Sequence, residues 1–103
     1  MAVDVGDVMD TKYAMLDAMP SQFYEWLPWV EGVEGVPEDP DARRDWLQEQ
    51  WDPLFLGCAE QYVSALEDCY GDAVAVVRYC EAFELCEYGR QPGPDELKTL
   101  FPF

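Results

Sequence analysis

Apolar positions recur along this chain at intervals of three and four, the period of a helix packed on one side. Met9, Tyr13, Leu16 and Met19 follow that spacing behind Asp7 or Asp10 as N-cap, and Pro20 closes the run, predicting a first helix over 7–19. Ser21 caps a shorter helix from Gln22 to Leu27, whose Phe23, Tyr24, Trp26 and Leu27 run on into Trp29 and Val30 and which Pro28 bends or ends. Residues 31–40, Glu-Gly-Val-Glu-Gly-Val-Pro-Glu-Asp-Pro, carry no periodicity and read as an acidic loop. Asp39 as N-cap with Pro40 at the first helical position then opens a third helix through Ala42, Trp46, Leu47 and Trp51.

Asp52-Pro53 repeats that start signal and predicts a break or kink. A long helix over 53–70 should follow, with Leu54, Phe55, Cys58, Tyr62, Val63, Leu66 and Cys69 inward and Gly71 as its stop. Asp72 opens a further helix over 73–88, holding Val74, Val76, Val77, Cys80, Phe83 and Leu85 and ending at Gly89. The run Val74 to Val77 is also compatible with a strand, but the length between cap and stop favours a helix. Residues 94–101 give one last helical turn before an apolar tail. The expected fold is all-α: one acidic domain over 1–103, a small bundle of four to five helices with residues 53–88 as a central antiparallel helical hairpin.

Composition turns this outline towards function by exclusion. The 103 residues hold 22 Asp and Glu against 6 Lys and Arg, a net charge of −16, yet half are hydrophobic and 15% aromatic, which argues for a folded domain rather than a disordered acidic tail. No apolar run approaches the length of a membrane span, and Asp4, Asp7 and Asp10 stand where a signal peptide carries positive charge, so a cytoplasmic protein without membrane contact is expected. His is absent, which removes His-based general bases, Ser/His/Asp and Cys/His dyads and His-containing zinc sites. The seven glycines are scattered, none opening a phosphate loop, and the acids around 38–41 lack the glycine and glutamate of a calcium-binding EF-hand loop. Neither an enzyme nor a cofactor or metal is expected. Direct nucleic-acid binding fails on the sign of the charge. Absent Ile and Asn and scarce Lys have the look of a GC-rich genome, which points to a prokaryotic or phage source.

Cys58, Cys69, Cys80 and Cys86 match no CxxC pattern; folding the expected hairpin would bring Cys58 level with Cys86, while the favoured reading is four core thiols. The acids are more informative. Asp41, Asp45, Glu49 and Asp52 recur at i, i+4, i+8 and i+11, within a sector of about 80° on one helix face. Neighbours four apart sit about 6 Å from one another, close to the roughly 7 Å between successive phosphates on a nucleic-acid strand. Glu31, Glu34, Glu38 and Asp39 extend this surface from the loop, and Glu81, Glu84 and Glu87 add acids on the expected last long helix. A net charge of −16 also exceeds the magnitude of about 2 to 8 that keeps a small domain dispersed. A salt-loving host is a second source of such acidity, against which the Trp and Cys content speaks. Two Trp, a Phe and a Tyr within residues 23–29 cannot all face inward from one short helix, and Trp29, beyond Pro28, is the expected exposed anchor.

In size, charge, GC-rich composition and lack of catalytic residues the chain resembles the phage-encoded DNA mimics, among them many anti-CRISPR proteins. The resemblance is one of composition and supplies no aligned motif. It implies a stoichiometric inhibitor that blocks the basic groove of a nucleic-acid-binding protein, a Cas effector or a nuclease, inside a bacterial or archaeal host. The partner-binding residues expected from the stripe and its surroundings are Asp41, Asp45, Glu49, Asp52, Glu34, Glu38, Asp39 and Trp29. An immunity protein or antitoxin against a basic nuclease fits the same charge, and a phage assembly or adaptor module would bind through the aromatic block instead.

Overall fold

The computed structural model describes residues 1–101. It is mostly helical, with a two-stranded sheet the hydrophobic pattern did not announce. The order is strand β1 (Ala2–Asp4), a 3-10 turn at 6–8, helix α1 (Met9–Asp17), one wide i→i+5 turn at 21–26 running into α2 (Leu27–Glu31), then α3 (Pro40–Gln61), α4 (Val63–Tyr70), a 3-10 turn at 71–76, strand β2 (Cys80–Ala82) and α5 (Pro94–Leu100). The apolar tail beyond Phe101 lies outside the described residues.

Several start and stop signals act as the sequence implies. The Asp39 side chain accepts from the Ala42 amide at 3.0 Å, with Pro40 at the first helical position of α3. Gly71 ends α4 with a positive φ of 57°, whereas Pro28, expected to bend or end a 22–27 helix, instead lies at the start of α2, which Gly32 ends in the left-handed conformation with φ of 68°. Other signals are silent. Neither Asp7, Asp10 nor Ser21 caps a helix with its side chain; Val8 and Pro20 hold those positions. The break expected at Asp52-Pro53 does not occur, because α3 runs through Pro53. Glu49, whose carbonyl loses its i+4 partner there, and Pro53 itself are both exposed, so water can take the bond the ring removes. The joint falls instead at Tyr62, between α3 and α4.

The larger correction concerns 73–88. No helix forms over it: after the 3-10 turn the chain extends, and β2 pairs antiparallel with β1 in the register Ala2 with Ala82, Val3 with Glu81 and Asp4 with Cys80. The all-α expectation and the central helical hairpin therefore fail at their second arm. The physical reason is a partner too far away in sequence to be read. Val74 and Val76 stay in the 3-10 turn; extended backbone begins at Val77, and over 79–82 the first residues of the chain supply the hydrogen bonds that extension needs, Val5 N–H donating to the Tyr79 carbonyl at 3.0 Å beside the strand pair. Ala2 (1% exposed) and Cys80 (4%) are buried by this pairing, beside Ala59 and Leu66 (1%).

A second, aromatic packing zone lies where α1 and the wide turn meet α3. These elements bury Leu47 of α3 completely, Met9 and Tyr13 of α1, and Tyr24 of the wide turn. Phe23 meets Trp51 edge-on at 5.3 Å, Trp51 meets Phe55 at 6.3 Å, Phe55 meets Tyr13 at 5.8 Å and Tyr24 meets Trp46 at 6.1 Å. Several positions expected inward are in fact open, among them Met19, Leu54, Tyr62, Val63 and Cys69. The molecule is thin: 49 × 34 × 21 Å with a radius of gyration of 16.8 Å, against about 13 Å for a compact domain of this length. Much of its apolar surface is consequently uncovered.

Candidate partner-binding surface

Helix α3 carries the acidic stripe, and its N-cap and first-turn proline fix where the stripe begins. Asp41, Asp45 and Glu49 are exposed, one helical turn apart, over about 12 Å. The Asp41 side chain is 93% exposed and meets Arg44 only at 3.6 Å. Arg44 is drawn the other way, its Nε donating to Asp17 at 3.0 Å on α1. Asp17 also accepts from the Tyr24 hydroxyl at 2.7 Å, and that hydrogen bond, ahead of Arg44, holds its carboxyl below the usual carboxylate range.

The stripe stops at Asp52. Its sector position matches the others, but its carboxylate is half-buried and one oxygen, Oδ1, accepts from both Tyr13 and Tyr79, each at 2.8 Å. Burial and this carboxylate push the Tyr13 phenol well above its ordinary range, and the Asp52 hydrogen bond, followed by burial, raises Tyr79. Asp52 thus ties α1, α3 and the approach to β2 together and faces inward. Asp39 is exposed but engaged as the cap of α3, while Glu34 and Glu38 are exposed on the loop before it. The acids expected on a last long helix separate: Glu81 lies in β2 and accepts from Lys12 at 2.9 Å, whereas Glu84 and Glu87 sit in exposed irregular chain.

Across the 22 acids a division emerges. Only Asp17, Asp52, Glu81 and Glu96 are partly buried, and each has a partner: Arg44 and Tyr24, two tyrosines, Lys12, and Arg90 respectively. Arg43 is spent inside the fold, donating to the Pro37 carbonyl at 2.8 Å and lying over the Tyr24 ring. The remaining carboxylates face water with little compensating charge.

Beside the stripe runs an apolar groove that the spacing of the acids did not reveal. It encloses about 260 Å³ between Phe23, Leu27 and Pro28 on one wall and Trp46, Trp51 and Leu54 on α3, with Glu31 at its edge. Trp46, Gln50 and Leu54 recur at i, i+4 and i+8, the same spacing as the acids, and Trp46 is rotated only about 60° from Glu49 around the helix. That repeated spacing was the signal available in the sequence. Trp29 is 78% exposed, as expected, and stands outside the groove; Trp26 (52%) and Leu54 (60%) are also open.

Among the described residues no helix is long and apolar enough to cross a membrane, and no group of three or more His, Cys, Asp and Glu is placed to hold a metal ion. Comparison of the chain with known protein families, with curated proteins and with solved structures finds no match.

Proposed function

We propose that this protein is a stoichiometric inhibitor that lays its acidic surface into the basic groove of a nucleic-acid-binding protein, in the manner of an anti-CRISPR protein acting on a Cas effector inside a bacterial or archaeal cell. In this reading α1, α2 and α3 serve as a small helical bundle whose rigid member, α3, carries the charge. One observation supports it above the others: Asp41, Asp45 and Glu49 are exposed at phosphate-like intervals while the nearby cation, Arg44, is held by Asp17. Charge of this density gives fast, salt-sensitive association.

The test is competition. The purified protein is added to a panel of Cas effectors and basic nucleases, and displacement of their DNA or RNA is followed by electrophoretic shift along a salt series. Inhibition that fades by a few hundred millimolar salt, and that Asp41→Lys with Asp45→Lys abolishes at unchanged helical circular dichroism, is the expected result. Full inhibition by the double variant overturns the placement of the surface on α3. Capture of an antitoxin-type partner, a basic nuclease, would keep the mechanism and change the target.

A second reading rests on the aromatic side. Exposed Trp29 and Trp26 beside an open groove are features of a surface that docks by burial rather than charge, as an assembly or adaptor module does. Binding that survives high salt and is lost in Trp29→Ala identifies it.

A further inference from the structure

Folding of the expected hairpin would align Cys58 with Cys86, but the strand pairing brings a different thiol to it. Cys80, in β2, donates from its Sγ to the Sγ of Cys58 on α3 at 3.6 Å. Cys69 and Cys86 are exposed, on α4 and on the irregular chain after β2, and Cys86 has left the helical position the alignment required. Cys58 and Cys80 together line an open cleft of about 460 Å³ whose other walls include Lys12, Phe55 and Gln61. Gly57 also lines it, and no side chain stands there to bar a small molecule.

We propose that Cys58 and Cys80 are an oxidative modification site: a dithiol that a small peroxide entering this cleft converts to an intramolecular disulfide joining α3 to β2. The roles follow from burial. Cys58 is half-exposed and meets the oxidant, whereas Cys80 is only 4% exposed and lies behind it. Burial, then the Cys58 sulfur, pushes the Cys80 thiol up to about 11, with Asp4 adding and Lys12 opposing, so Cys80 stays protonated and inert until a sulfur electrophile appears beside it.

In the first step the Cys58 sulfur attacks one peroxide oxygen; the O–O bond breaks, Cys58 becomes a sulfenic acid, and the departing oxygen leaves as water with the thiol proton. In the second the Cys80 sulfur displaces the hydroxyl from Cys58, the S–S bond forms, and the Cys80 proton leaves with that hydroxyl as a second water. Two thiols lose two electrons and one hydrogen peroxide is reduced to two waters. The sulfurs need to close from 3.6 Å to about 2 Å. The new bond closes a loop across a separation of 22 residues, holding α4 and the following turn between its ends.

The experiment treats the full chain with hydrogen peroxide at a one-to-one ratio, then alkylates free thiols and maps the products by non-reducing mass spectrometry. Trypsin alone leaves Cys58 with Cys69 and Cys80 with Cys86, so digestion after glutamate is added to separate all four. The expected product is a Cys58–Cys80 cross-linked peptide with Cys69 and Cys86 alkylated, and a thermal midpoint raised by roughly 10–20 °C that dithiothreitol reverses. Cys80→Ser should stop the reaction at a Cys58 sulfenic acid trapped by dimedone, without the rise. The Cys69→Ser, Cys86→Ser double variant leaves the packed pair untouched and should oxidise like the parent, which keeps the test decisive even if Cys80→Ser folds poorly. Four alkylated thiols after treatment, or a predominant link to Cys86, to Cys69 or between chains, overturns the proposal.

Discussion

Asp52 separates two readings of the same row of acids. If all four were a charged binding face, replacing any one should leave stability unchanged or improve it by relieving repulsion. The structure says otherwise for Asp52, since its Oδ1 accepts from Tyr13 and Tyr79 at 2.8 Å each. A hydrogen bond to a charged group is worth about 1.5–3 kcal/mol, and two share one half-buried oxygen here. Tyr13 is itself only 9% exposed, so its hydroxyl has little water to turn to when the acceptor goes. Asp52→Ala is therefore expected to cost about 2–4 kcal/mol, a large part of the 5–15 kcal/mol typical of a domain. Asp52→Asn, which keeps an acceptor oxygen, should cost about half as much. In urea, with m of about 1–1.5 kcal/mol/M, the alanine variant should lower the midpoint by about 2 M. Asp45→Ala and Glu49→Ala, the exposed controls, should move it by less than the equivalent of about 0.5 kcal/mol. Tyr13→Phe and Tyr79→Phe in a double-mutant cycle with Asp52→Asn should each show coupling of about 1 kcal/mol. A midpoint for Asp52→Ala indistinguishable from that of Asp45→Ala refutes the reasoning.

Two further outcomes are expected. Pro53→Ala restores an amide to the interior of α3 and should stabilise by about 1–3 kcal/mol, read as a higher thermal midpoint with helical circular dichroism retained. Tyr24, 5% exposed, has its phenol raised by burial and by Asp17 to about 12, against 10 in the unfolded chain, so its contribution is complete below pH 10 and lost as pH rises towards 12. About 2–3 kcal/mol should disappear over that window in pH-dependent urea titrations, and Tyr24→Phe should flatten that part of the decline.

Local signals carried much of the framework. The Asp39-Pro40 start of α3, the glycine stop at 71, the last helix from Pro94 and the exposure of Trp29 all depend on chemistry within a few residues of the position concerned. What escaped the sequence depends on distant chain. Val74 to Val77 could be weighed as helix or strand and Val74–Val76 became a 3-10 turn instead; the strand forms further on, at Cys80–Ala82, where Ala2–Asp4 meets it, and three residues are too few to advertise a strand. The same distance hides Asp52: its place in the sector was legible, while Tyr79, 27 residues away, became its donor only once β2 had formed. The stripe was read correctly as a helical face and incorrectly as uniform, because spacing describes where side chains emerge and says nothing of what another element brings to meet them. The groove wall on α3 was open to the same arithmetic, its nearest member, Trp46, lying about 60° around the helix from Glu49.

The pairing of β1 with β2 also sets an order of events during synthesis. Residues 2–4 leave the ribosome well before their hydrogen-bonding partners at 80–82. The helices between them close through contacts only a few residues apart and can form as they emerge, whereas the sheet waits for the long intervening stretch between Asp4 and Cys80 to be drawn together. Until then Ala2, Ala59, Leu66 and Cys80 have no common core, so this cluster is completed only after residue 82 has been made.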